Sequence, residues 1–285
     1  MFTQRATQAQ YSAVIGVALL LGACADDSGA NVAGSAADAS TSAVSTGVSE
    51  PTTGSSDDAS TGEPDTTDDV VEVALRRLNE GQDVAEFEGA RDAFVVQLTL
   101  QPGVGIDREF QGVVDFSTFA PPDPAVFIGM TQYDDLDAFA AAGEALGDSA
   151  EAGAFFSTFT PEVFTVLRPL EPDTSIDISL VANEDGNVLE VAARDLSQYE
   201  DFDPAEYANV RDTFLDLLAQ QDGFVAEYQW VSALDENLVV GMTVYEDLDA
   251  YVALSMNEEF MGSPELAAFV GPYPLVAGYI NTVVK

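Results

Sequence analysis

Residues 70–285 repeat themselves. Val71-Glu72-Val73-Ala74 returns as Leu189-Glu190-Val191-Ala192, and Arg76 as Arg194, 118 positions later. Asp83-Val84-Ala85-Glu86-Phe87 returns as Asp203-Pro204-Ala205-Glu206-Tyr207 at a spacing of 120. Arg91-Asp92 with Phe94 returns at the same spacing, as Arg211-Asp212 with Phe214. Gly129-Met130-Thr131, Tyr133 and Asp135-Leu136-Asp137-Ala138 return at 112 as Gly241-Met242-Thr243, Tyr245 and Asp247-Leu248-Asp249-Ala250. So many matches in one order require two copies of one folding unit. The contraction from 120 to 112 gives the first copy about eight extra residues, best placed as an enlarged loop around Pro121-Pro122-Asp123-Pro124.

Each copy reads strand, helix, strand, strand, helix, strand. Val71, Val73 and Leu75 alternate with Glu72, Ala74 and Arg76, so the two sets face opposite sides of a strand. Asp83 with Glu86, and Asp203 with Glu206, have the spacing that opens a helix, and Pro204 suits its first position. Gly103 and Gly223 are expected to stop that helix. The second helix is expected near Asp134 and Glu246, and the last strand over 163–167 and 275–284. Between the copies, 175–182 reads as an additional strand leading through the turn Asn183-Glu184-Asp185-Gly186-Asn187 into the second copy.

The βαββαβ order is the ferredoxin-like arrangement. The second copy resembles antibiotic-biosynthesis-monooxygenase-type (ABM) domains of the dimeric α/β-barrel superfamily. The residues carrying this are Val188-Leu189-Glu190-Val191-Ala192, Gln221-Asp222-Gly223-Phe224, Tyr245-Glu246-Asp247-Leu248-Asp249-Ala250, and Phe260-Met261-Gly262-Ser263-Pro264-Glu265 with Phe269. The first copy keeps Ser149, Glu151 and Phe155 but lacks the proline. The resemblance implies an α+β fold in which sheets pair to close a barrel. A tandem repeat can do so within one chain as a monomer, burying both open faces. It also implies a spread of activities, from cofactor-free oxidation of phenols to haem degradation and proteins without a known reaction. Haem-degrading members use a histidine, and this chain has none. No cofactor is called for.

Ahead of the repeat, Arg5 is the only charge in residues 1–23, and Ser12 to Ala23 is apolar or small. That run is too short to span a bilayer as a helix, which takes about 20 residues, and reads as a signal peptide. Leu21-Gly22-Ala23-Cys24 resembles a bacterial lipobox, which implies lipidation at Cys24 and a membrane anchor. Ala25 follows, which by the usual sorting logic implies the outer membrane in a cell that has one. Residues 24–69 read as the lipidated cysteine and a disordered acidic Ser/Thr/Gly/Asp linker. The expected domains are therefore 1–23, 24–69, a first repeat at 70–172 and a second at 173–285 with an extra N-terminal strand.

Composition narrows the chemistry. With no histidine and one cysteine, Ser-His-Asp and Cys-His catalysis, an internal disulfide and histidine-ligated metals are excluded. Fifty acidic against nine basic residues, a net charge of −41, argue against nucleic acid as a partner. The turn at 183–187 fails as a calcium loop, because Val181 and Ala192 occupy two ligand positions. No metal is expected.

Five residues stand out as ligand-binding candidates. Arg76 and Arg194 occupy equivalent strand positions, each beside Glu72 or Glu190. They could form a guanidinium pair inside the barrel for an anionic or phenolic ligand, or ion pairs holding a buried sheet face. Tyr228 and Trp230 share one strand face and could wall an apolar pocket or simply be core; Met242 is adaptable filling. Arg91 and Arg211 read as surface pairing. The main reading is an envelope lipoprotein that binds a small, mostly apolar or phenolic ligand without catalysis. The alternatives are a cofactor-independent monooxygenase of phenols or quinols, and a structural or partner-binding surface protein.

Overall fold

The computed structural model describes residues 68–171, 174, 177–199 and 202–285. The signal-like segment, Cys24, nearly all of the acidic linker and the 172–173 boundary lie outside the described residues. The first half runs β1 (Val70–Leu78), α1 (Val84–Leu98), β2 (Val104–Asp115), β3 (Val126–Tyr133), α2 (Leu136–Leu146), α3 (Ala150–Phe156) and β4 (Phe159–Pro169). The second runs β5 (Val188–Asp195), α4 (Pro204–Leu218), β6 (Phe224–Ser232), β7 (Leu238–Tyr245), α5 (Leu248–Ser255), α6 (Glu258–Met261), α7 (Pro264–Val270) and β8 (Ala277–Val283).

All eight strands close one antiparallel barrel in the order β1-β3-β2-β8-β5-β7-β6-β4. Within each half the order is fourth, first, third, second, and the halves join at β2–β8 and β4–β6. Closure leaves no free sheet edge.

Local chemistry accounts for the elements. Asp83 and Asp203 cap α1 and α4, each carboxylate accepting from two backbone N–H groups. Asp135 and Asp247 cap α2 and α5, each accepting from one backbone N–H, that of Ala138 or Ala250. The single second helix expected in each copy is broken, because Ser149, Asn257 and Ser263 each start a new short helix. Gly103 and Gly223 do not stop α1 and α4, which end several residues earlier. They turn the chain into β2 and β6 at φ +75° and +79°, where an added Cβ would lie 2.6 Å from Ala138 Cβ or 2.4 Å from Ala250 Cβ. The extra residues of the first copy are shared between a longer β2, 12 residues against 9 in β6, and the longer loop after it.

Both faces of the barrel are buried. Val71, Val73, Leu75, Phe110, Ile128, Met130, Leu189, Val191, Trp230, Val240, Met242 and Tyr279 fill its interior. The opposite faces pack under helices through separate clusters in each half. The described part of the expected extra strand, 177–182, is not a strand: Ile178–Leu180 is a 3-10 turn. Ile178, Val181 and Ala182 are buried with the barrel interior instead. Arg108 holds this plug by donating to the carbonyl oxygens of Ile178, Ser179 and Ala182 at 3.1–3.2 Å, and Gln132 Oε1 accepts from Ile178 N. The other end carries Arg77, which bonds Glu162, Asp115 and the Tyr279 hydroxyl. Apolar side chains with partnered carbonyls bury more favourably inside the barrel than as an edge with no free strand to join.

Candidate functional site

The polar residues that the interior excludes meet on the outer face of the first half, beneath α1 and α3. Glu72 and Arg76 come from β1, Asp107 and Glu109 from β2, and Gly129, Thr131 and Tyr133 from β3 between them. With Phe94, Val95, Leu98 and Phe155, most of these line a cavity of about 20 Å³, room for about one water.

Three carboxylates share this space, each with its own donor. Tyr133 Oη donates to Glu72 Oε2 at 2.8 Å, and Thr131 Oγ1 to Asp107 Oδ1 at 2.9 Å. Arg76 Nη2 donates to Glu109 Oε2 at 2.6 Å. Gly129 leaves room for that ion pair: a Cβ there would come within 2.2 Å of Arg76 Nη2. The guanidinium is also caged by Phe87, Phe155 and Phe159, whose ring centroids lie 5.2–5.7 Å away. Yet the pair is incomplete. Arg76 is 4% and Glu109 1% exposed, but Arg76 Nε and Glu109 Oε1 have no partner, nor does Arg91 Nη1. Burial pushes the Glu109 carboxyl up to about 7 against the pull of the Arg76 and Arg91 charges. Glu72 and Asp107 are also raised by burial. The arrangement offers a donor and a proton acceptor side by side in an apolar surround.

The second half repeats the plan with changed residues. Glu190 accepts from Tyr245 Oη at 2.8 Å, and Thr243 donates to Glu227. By strand register Glu227 stands where Asp107 does, and Gln229 where Glu109 does. Gln229 Nε2 donates to Glu227. Burial raises Glu227 to about 7. Arg194 turns away, donating from Nε to the Tyr273 carbonyl oxygen at 3.0 Å and lying 4.3 Å from the Phe269 centroid.

Of the five candidates, the structure brings Arg76 alone to the cavity. Arg76 and Arg194 do not point into the barrel; they lie on the helix-covered face, because Val71, Val73 and Leu75 and their counterparts take the interior. The pairing expected of Arg76 is real, but its partner is Glu109 rather than Glu72. Tyr228, Trp230 and Met242 belong to the packed interior, with Tyr228 and Trp230 stacked at 6.3 Å. Arg91 and Arg211 pair with Asp92 and Asp212 but are buried guanidiniums rather than surface groups. Sequence reasoning missed Asp107, Glu109, Thr131 and Tyr133 as a site. Extending the spacing of 120 into β2 would have aligned Glu109 with Gln229 and shown the acids opposite Arg76. Among the described residues no group of three or more acidic or cysteine side chains is placed to hold a metal ion.

No family model matches the chain, and no curated protein matches it. Solved structures resemble it in shape. An anthrone oxidase-like protein is 11% identical over 76% of this chain and 92% of its own, with a TM-score of 0.49. A monooxygenase candidate from Fusobacterium nucleatum is 10% identical over 76% and 94%, with a TM-score of 0.43. SnoaB, a cofactor-independent oxygenase from Streptomyces nogalater, is 20% identical over 35% of this chain and 92% of its own, with a TM-score of 0.27. Chlorite dismutases and a haem-binding protein are among the other structures alike. These likenesses assign no residue a role. The structure itself is a mixed α/β fold with a closed eight-stranded antiparallel barrel, consistent with the dimeric α/β-barrel shape.

Proposed function

We propose that the chain is a cofactor-independent oxygenase of phenolic or quinol substrates, with its site between sheet and helices in the first half. One observation carries this: a buried guanidinium and carboxylate, each with one unpartnered atom, line a cavity walled by Phe94, Phe155 and Leu98. A phenol hydroxyl both donates and accepts, and matches that pair. Glu109 takes its proton and Arg76 holds the phenolate. Dioxygen is the oxidant. A CH2 conjugated to the phenolate becomes C=O, one oxygen atom entering the carbonyl and the other leaving as water. The resting cavity is water-sized, so a ring enters only when Phe94 and Phe155 swing outward.

The test is oxygen uptake with anthrones and other phenols that carry a conjugated CH2. Uptake should rise with pH through about 7, as Glu109 loses its proton, and fall about 100-fold or more in Glu109→Gln, as for loss of a general base. Uptake equal in wild type and Glu109→Gln would overturn the reading. The filled barrel and small cavity favour a second reading, a structural or partner-binding surface protein, which a failure of every substrate would support.

The same proposal includes the chain's setting. Two ferredoxin-like repeats pair within one monomer, exported and anchored through lipid on Cys24, with residues 25–69 as spacer. A native mass of one chain for residues 70–285, and release of Cys24→Ala from membranes, are the expected results.

A further inference from the structure

We propose that the two halves carry one working site between them: the first takes the ligand, and the second holds a closed copy, the residues at the Asp107/Glu227 and Glu109/Gln229 positions setting the difference. The identity of the ligand rests on the phenol reading above; the asymmetry rests on geometry alone. In the first half, Arg76 Nε and Glu109 Oε1 are unpartnered on side chains more than nine-tenths buried, and both residues line the cavity. In the second half no atom of Arg194, Glu227 or Gln229 is among the buried polar atoms left without a partner in the described residues.

Two changes close the second copy. An amide donates where an ionised carboxylate only accepts, so Gln229 bonds Glu227, whereas ionised Glu109 has no proton to give Asp107. Glu227 is one methylene longer than Asp107, and its two oxygens take the Gln229 amide and the Thr243 hydroxyl together. With no acid at position 229, Arg194 has no partner across Gly241. It swings to α7 and the segment after it, where Phe269 and the Tyr273 carbonyl hold it. The group that would greet a ligand is thereby turned into a brace for its own helix.

The test uses the full chain in two steps. First, without ligand, solvent exchange of the arginine Nε–H groups is followed by NMR. Arg76 should exchange about tenfold faster than Arg194, the worth of one hydrogen bond. Second, 4-nitrophenol is titrated in. The Gly129 and Thr131 amides should shift and saturate at one equivalent per chain, while Gly241 and Thr243 stay still. Glu109→Gln should weaken binding about tenfold or more, and Gln229→Ala should leave it unchanged. Equal exchange at the two arginines, or shifts in the second half, would overturn the asymmetry. Unequal exchange with no shift in either half would uphold it and overturn the phenol reading instead.

Discussion

The two halves share one plan, strand for strand and with Tyr133 matched by Tyr245, yet they settle their buried charge differently. In the first, Arg76 is tied to Glu109 across Gly129 and a water-sized space remains beside them. In the second, a glutamine stands in for the acid and Arg194 is tied to its own half's last helix and the turn beyond. Because the backbone frame is common to both, the difference isolates what a few side chains do. An acid at position 109 keeps a charged, incomplete pair under the helices. An amide at 229 completes the network and closes it.

The largest expected effect comes from cutting the two arginines. Arg76→Ala strands Glu109 in a buried site, and breaking a buried pair this way costs about 3–5 kcal/mol. Arg194→Ala loses one hydrogen bond and one ring contact, about 1–2 kcal/mol. Thermal unfolding of the two variants should separate them in that order, and equal losses would break the comparison.

Next is the barrel interior, which belongs to both halves. Trp230→Ala should cost about 3–5 kcal/mol, as large core truncations do. Trp230→Phe should cost far less, because it also removes an indole N–H that is buried without a partner. Oxygen uptake by Trp230→Phe should match wild type; a loss of activity would return the site to the barrel.

Gly129→Ala is expected to cost about 1–3 kcal/mol by overpacking, since its Cβ meets the fixed guanidinium of Arg76 at 2.2 Å. Gly241→Ala meets the end of Gln229 at 3.0 Å and Glu227 Oε1 at 3.4 Å, and should cost less. Denaturant midpoints of the pair decide it.

The smallest effect is shared. Glu109 and Glu227 both have folded-state values raised from 4.5 to about 7. The folded state therefore binds these protons more tightly than the unfolded chain. Their stabilising contribution is complete below about 4.5 and is lost as pH rises through about 7. Glu109→Gln should flatten the first half's share of that slope and leave the second's, read from unfolding midpoints across this window. In wild type, stability should fall over the same pH range in which activity rises.

Much of the fold was legible because the repeat doubles every signal. Alternation at Val71, Val73 and Leu75, and the caps at Asp83 and Asp203, each appear twice at fixed spacing. The site was legible only in part. Period-two patterning shows that Glu72 and Arg76 share a face, but here both faces of every strand are buried, so polarity alone did not say which one looks into the barrel. Glu109 was hidden because its counterpart is Gln229, and a search for what the halves share passes over what they do not. The plug at Ile178–Ala182 was misread for a related reason. Apolar residues seal a barrel end as readily as they extend a sheet, and only the clamp from Arg108, distant in sequence, distinguishes the two.

The most direct test of the central claim is a crystal structure of residues 70–285 with a bound phenol. The expected result is one molecule per chain, its hydroxyl between Arg76 Nε and Glu109 Oε1, with Phe94 and Phe155 displaced from their resting places. A phenol lodged against Trp230 inside the barrel, or beside Arg194 in the second half, would contradict the account.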